Sequence, residues 1–140
     1  MTDSRRRVLF LCTHNSARSQ MAEGLLRQLG GDRFEAHSAG TEQTHVRPLA
    51  IAAMAEVGID ISGQQSKTLD RYLGEPFDAV ITVCDQAAET CPVFAGARRR
   101  LHWSFPDPSK ATGTREEQLA VYRAVRDDIA RRITDELIGG

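Results

Sequence analysis

The stretch Cys12-Thr13-His14-Asn15-Ser16-Ala17-Arg18-Ser19 holds a nucleophile, a permanent cation and several hydroxyls within eight positions. It follows the apolar run Val8-Leu9-Phe10-Leu11 and precedes a segment with helical character from about Gln20. Strand, tight loop and helix N-terminus therefore meet there. The backbone N–H groups after Cys12, curled around a helix start whose dipole favours negative charge, form a cradle for a tetrahedral oxyanion. Arg18 would clamp that anion bidentately. The same positive potential favours the Cys12 thiolate over the thiol, and a thiolate aimed at a bound oxyanion is a nucleophile. The plainer alternative is a Cys packed at a strand end like any small apolar residue.

A second group lies in Val83-Cys84-Asp85-Gln86-Ala87-Ala88-Glu89-Thr90-Cys91-Pro92, directly after the β-branched run at residues 79–83. Cys84 thus also stands at the carboxyl end of a strand, and if that strand neighbours the first, the two thiols meet at the same end of the sheet. In a helix, seven residues separate two Cα atoms by about 10 Å, whereas a disulfide needs roughly 4.4–6.8 Å. Pairing Cys84 with Cys91 would therefore require the segment to unwind or loop out. Taken singly, Cys84 reads equally well as the end of a buried strand and Cys91 as a surface thiol.

The third group is Trp103-Ser104-Phe105-Pro106-Asp107-Pro108-Ser109. An Asp fixed between two prolines at the end of a strand is well placed to protonate a leaving oxygen, although Pro-Asp also occurs in ordinary turns.

These groups need a scaffold, and 140 residues with 41% hydrophobic content suffice for one domain over residues 1–140 with a single core. Eighteen basic and 19 acidic residues leave a net charge of −1, so no global field draws the chain to nucleic acid. Arg5-Arg6-Arg7 and Arg98-Arg99-Arg100 read as solvated strand flanks. No apolar run approaches the roughly 18 residues of a membrane span, and the N-terminus lacks a signal-peptide core. A cytoplasmic location with no membrane partner is expected. Three cysteines, an odd number, do not make a secreted disulfide framework and fit redox or catalytic use. Cys84 and Cys91 lie seven apart with no Cys-x2-Cys, so no metal and no cofactor is expected.

Residues 7–11 read as a buried strand, and residues 20–29 as a helix with Met21, Leu25, Leu26 and Leu29 on one side, stopped by Gly30-Gly31. Residues 34–40 form a plausible second strand. Pro48 opens a helix carrying Leu49, Ile51, Ala52 and Val57 before Gly58. Ser66 is a candidate cap for a short helix through Leu73, residues 79–83 a third strand and residues 101–103 a shorter fourth. From Thr114 a capping box with Glu117 opens a long helix with the stripe Leu119, Tyr122, Val125, Ile129, Ile133 and Leu137. Strands alternating with helices predict a three-layer α/β/α fold on a four-stranded parallel sheet, with ligands at the strands' carboxyl ends.

Cys-x5-Arg-Ser after the first strand resembles the anion-binding loop of low-molecular-weight tyrosine phosphatases and of the arsenate reductases built on that fold. The wording CTHNSARSQMAE is similar to the reductase branch, and TVCDQAAETCP resembles the redox segment of its thioredoxin-coupled members. The resemblance implies that Thr13, His14, Asn15, Ser16, Ala17, Arg18 and Ser19 bind arsenate, with phosphate or sulfate as analogues. It implies that Cys12 attacks arsenate, Cys84 attacks Cys12 as arsenite leaves, and Cys91 takes over Cys84, leaving a Cys84–Cys91 disulfide for thioredoxin. Asp107 matches the acid of both branches, but phosphatases usually continue with aromatic residues where Ser109 and Lys110 stand. Some reductases of this kind hold potassium near the loop. Asn15, Glu23 and Ser38 match its ligands, yet Lys67 stands where an Asp would be, so an ammonium in place of the cation is expected. The implied function is thioredoxin-dependent arsenate reduction by a monomer, with weak phosphatase activity on the side. The alternatives are a phosphatase acting on tyrosyl or small phosphates and an oxyanion or redox sensor without turnover.

Overall fold

The computed structural model describes residues 5–12, 17–40, 44–72, 74–83 and 97–138. Four strands, β1 (Arg6–Cys12), β2 (Phe34–Gly40), β3 (Phe77–Thr82) and β4 (Ala97–His102), pair in the order β2-β1-β3-β4, every pair parallel. Among the described residues, three α-helices, α1 (Arg18–Gly30), α2 (Pro48–Ala55) and α3 (Arg115–Ile133), pack with these strands, giving the expected α/β architecture. The order of pairing reverses direction between β1 and β3. In open parallel sheets such a switch point leaves a crevice at the carboxyl ends of the two strands, and Cys12 ends β1 there.

Alternation along β1 divides the core. Val8, Phe10 and Cys12 face one layer, packed with Met21, Leu25 and Leu26 of α1, Met54 of α2 and Ile129 and Ile133 of α3. Leu9 and Leu11 face the other, with Ala39, Val80, Phe77 and Tyr72. Among the described residues the second face is covered by the 3₁₀ turn Leu69–Tyr72, not by an α-helix. Each fully buried Leu, Ile or Phe contributes about 1.5–3 kcal/mol, so the strand that carries Cys12 is held firmly from both sides.

The long helix keeps its expected start and stripe. Thr114 Oγ1 accepts from the Glu117 amide and the Glu117 carboxylate accepts from the Thr114 amide, each at 3.1 Å. Leu119, Tyr122, Val125, Ile129, Ile133 and Leu137 are all buried.

Other expectations need correction. Helix α1 begins at Arg18, two residues early, so Arg18 and Ser19 are its first turn. Leu29 is 41% exposed, while Gly30 beside it is buried so close to Phe34 that a Cβ there would lie 2.5 Å from the ring. Val57 is 47% exposed in the turn after α2, which ends at Ala55. The Ser66 hydroxyl accepts from the Thr44 amide at 2.9 Å; Leu73 lies outside the described residues. β4 starts at Ala97, earlier than expected, and takes Arg98, Arg99 and Arg100 into an edge strand, where exposed charges discourage pairing with other sheets. Trp103 comes after the strand, buried, its ring centroid 6.1 Å from that of Phe10.

Candidate active site

Cys12, the last residue of β1, is buried, and Arg18, the first of α1, lies where a helix dipole is positive. Ala17 is buried between them and gives its carbonyl to the Met21 amide at 2.8 Å, the first bond of the helix. Thr13, His14, Asn15 and Ser16 lie outside the described residues. Ser19 is fully buried in the first turn.

The Arg18 guanidinium is only 11% exposed and is aimed from two directions. Nη1 donates to the Phe105 carbonyl at 3.1 Å, and Nη2 lies 3.5 Å from Asp107 Oδ2. A chain separation of 89 positions is thereby closed: the loop after β4 brings Asp107 to the start of α1. Asp107 itself caps the 3₁₀ turn Pro108–Lys110. Its Oδ1 accepts from the Ser109 amide at 2.9 Å and the Ser109 hydroxyl at 2.7 Å. Burial pushes the Asp107 carboxyl up, but the Ser109 hydrogen bonds, helped by the charges of Arg18 and Lys110, outweigh it and hold the group below the usual carboxylate range. At neutral pH Asp107 is a carboxylate.

The carboxyl end of β3 adjoins this site. Leu11 and Thr82 are in register, and the Val83 amide donates to the Leu11 carbonyl at 2.8 Å. Val83, the residue before Cys84 in the chain, therefore lies beside the strand that ends in Cys12. Cys84 and Cys91 themselves fall outside the described residues.

Beneath the first turn of α1 lies a buried polar cluster. The Glu23 carboxylate, 3% exposed, accepts from the Ser38 hydroxyl at 2.6 Å, pairs with Arg27 at 2.9 Å and has the Lys67 ammonium at 3.6 Å. Lys67 also donates to the Gln65 carbonyl at 2.9 Å. Burial lowers the Lys67 pKa, and Glu23 works against that. Three of the residues singled out for the cation site, Glu23, Ser38 and Lys67, thus converge; Asn15 is not among the described residues.

Two participants were not legible as such. Gln20, fully buried, donates to the Gln65 carbonyl at 2.9 Å and accepts from Gln64 Nε2 at 2.7 Å, pinning α1 to residues 64–67. Ser109 drew notice only for not being aromatic; the signal for its role was Asp-Pro-Ser, an N-cap followed by a hydroxyl two positions on. His37 belongs elsewhere, bonded to Glu35 at 2.7 Å, and His102 Nδ1 lies 2.7 Å from the Thr82 hydroxyl.

A strand ending in Cys12 and a helix starting at Arg18, faced by Asp107 at a sheet switch point, fit one class of protein. The model of the low molecular weight phosphotyrosine protein phosphatase family matches residues 7–137, and the chain belongs to that family. Within it the chain belongs to the arsenate reductases. It is 51% identical over 126 residues to arsenate reductase of Halalkalibacterium halodurans, covering 90% of this chain and 91% of that one. To arsenate reductase of Bacillus subtilis it is 46% identical over 128 residues, 91% and 92% of the two chains. A solved arsenate reductase in its phosphate-binding state superposes with a TM-score of 0.83 at 35% identity, over 96% of this chain and 98% of that one.

Proposed function

We propose that this protein reduces arsenate to arsenite through Cys12, Cys84 and Cys91 and is regenerated by thioredoxin. One observation supports the relay most: the Val83–Leu11 hydrogen bond at 2.8 Å, which holds the residue preceding Cys84 in the chain beside the strand that ends in Cys12.

In the first step, the loop from Thr13 to Ser19 and the Arg18 guanidinium bind arsenate, and the Cys12 thiolate attacks arsenic as one oxygen leaves as water. The Cys84 thiolate then attacks Cys12 Sγ. The S–As bond breaks, its electron pair stays on arsenic, and arsenite departs as a Cys12–Cys84 disulfide forms. The Cys91 thiolate attacks Cys84 and releases Cys12 as thiolate. The resulting Cys84–Cys91 disulfide accepts two electrons from the thioredoxin dithiol by exchange.

Asp107, facing Arg18, is the acid a phosphoester substrate would need, and as it is ionised at neutral pH, aryl phosphate hydrolysis accompanies reduction only weakly. The protein works as a single domain and a monomer in the cytoplasm, where thiols stay reduced. Among the described residues no helix is long and apolar enough to cross a membrane. The test is NADPH consumption with arsenate, thioredoxin and thioredoxin reductase, with arsenite measured as product. Efficient aryl phosphate hydrolysis with no arsenate-dependent NADPH consumption identifies a phosphatase instead. Oxidation by peroxide with indifference to arsenate identifies a sensor.

A further inference from the structure

We infer that Ser109 is a positioning residue that sets substrate choice: by binding Asp107 Oδ1 with both amide and hydroxyl, it keeps this acid from serving phosphoesters while leaving arsenate attack possible. This inference rests on the reductase reading above and assigns a determinant of its selectivity.

Both Asp107 oxygens are committed in the structure. Oδ1 carries the two Ser109 bonds at 2.9 and 2.7 Å, and Oδ2 faces Arg18 at 3.5 Å. The charged and titratable groups that face it are Arg18 from α1, Lys110 from its own turn and the Tyr122 phenol from α3, whose own pKa is raised mainly by burial and further by the Asp107 charge. Each donor prefers a carboxylate to a carboxylic acid. The proton that a general acid must carry is therefore held only weakly, far from the ideal match to neutral pH.

The two substrates differ in what they ask of Asp107. The thiolate of Cys12 attacking an aryl phosphate dianion forms an S–P bond and expels phenoxide. That oxygen carries no proton, so the acid must supply one. Attack on the arsenate monoanion forms an S–As bond and expels water whose two protons both come from the arsenate itself. A deprotonated Asp107 thus penalises the first reaction and leaves the second a route. The hydroxyl of Ser109 is the part of this device that a substitution removes cleanly, because the amide bond to Oδ1 survives Ser109→Ala.

The experiment uses the full-length reduced protein, Ser109→Ala and Ser109→Thr. The Asp107 carboxyl carbon is titrated by ¹³C NMR, and aryl phosphate hydrolysis and arsenate reduction are measured from pH 5 to 8. Removing a hydrogen bond to a charged group moves the Asp107 midpoint up by about one pH unit in Ser109→Ala, with the acid-dependent limb of hydrolysis following. The ratio of aryl phosphate hydrolysis to arsenate reduction at neutral pH then rises by up to about tenfold. Ser109→Thr keeps the wild-type midpoint and ratio. An unmoved midpoint in Ser109→Ala overturns the inference, as does a shifted midpoint with an unchanged ratio. Wild-type protein that fails to reduce arsenate sinks the functional reading instead, and the carboxyl titration still decides what Ser109 does to Asp107.

Discussion

The Lys67 ammonium stands 3.6 Å from the Glu23 carboxylate, in a cluster that also holds the Ser38 hydroxyl on the same carboxylate oxygen. The resemblance implies a potassium site at Glu23 and Ser38, and we propose that the Lys67 ammonium takes the cation's place there. At equal ionic strength, melting temperature and activity of the unmodified protein are expected to be the same in potassium and in sodium. Lys67→Asp exchanges a positive for a negative charge beside Glu23 and is expected to create stabilisation specific to potassium. Potassium-specific stabilisation of the unmodified protein would contradict this assignment.

At the opposite end of the sheet, Glu35 is bonded to His37 and to Arg7 Nε, each at 2.7 Å. His37 first and Arg7 second lower its pKa from the ordinary 4.5, against a smaller rise from burial. A carboxyl held lower in the folded than in the unfolded chain contributes stability in full above the unfolded value and loses it as pH falls through the folded one. Unfolding free energy of the wild type should therefore drop as pH falls below 4.5, and Glu35→Gln should flatten that decline. Equal slopes from urea melts between pH 5 and 3 would show that these bonds carry no linked stability.

Gly24 sits inside α1, where alanine ordinarily gains about 1 kcal/mol of helix propensity. Here a Cβ would lie 2.7 Å from Ile61 Cγ2 and 3.2 Å from Met54 Cε. Overpacking costs typically 1–3 kcal/mol, and the branched Ile61 has little freedom to yield. Gly24→Ala is thus expected to lose up to about 2 kcal/mol net, read as a lower urea midpoint. A gain in stability would mean that the core beside α1 is looser than this contact.

Elements whose local pattern agrees with their burial were readable from the chain. The run from Val8 to Leu11, the β-branched residues of β3 and the stripe of α3 fall where the pattern puts them, because periodicity and packing ask for the same residues. β4 escaped because an exposed edge strand has no apolar face to advertise: Arg98, Arg99 and Arg100 satisfy its backbone pattern, not its composition. Leu29, on the expected stripe, is exposed, while its neighbour Gly30 is buried against Phe34. At the site, Cys12 and Arg18 stood out by their Cys-x5-Arg spacing and Asp107 by the family resemblance, and the fold brings Arg18 and Asp107 to 3.5 Å. The Gln20–Gln64 bond and the grip of Ser109 on Asp107 were not legible, since polar side chains signal a partner only once the fold has supplied it.

The spacing of Cys84 and Cys91 predicts a redox-coupled rearrangement, because a helical offset of seven residues, about 10 Å, exceeds disulfide reach. Oxidation should therefore lower amide protection across residues 85–90 while α3 stays protected. Hydrogen exchange followed by mass spectrometry compares the two states. Equal protection in both, with the disulfide confirmed by mass, would mean a preformed relay without unwinding.

The relay itself is tested most directly by a single turnover without thioredoxin. Reduced protein is mixed with excess arsenate, quenched by acid alkylation, and analysed for arsenite and for disulfide connectivity by mass spectrometry. The expected result is one arsenite per protein, loss of two thiols, and a Cys84–Cys91 disulfide with Cys12 free to alkylate. Cys91→Ser should stop with a Cys12–Cys84 disulfide after the same single arsenite, and Cys84→Ser should release none. Arsenite formed at the wild-type level by Cys84→Ser, or no arsenite from the wild type, would contradict the relay.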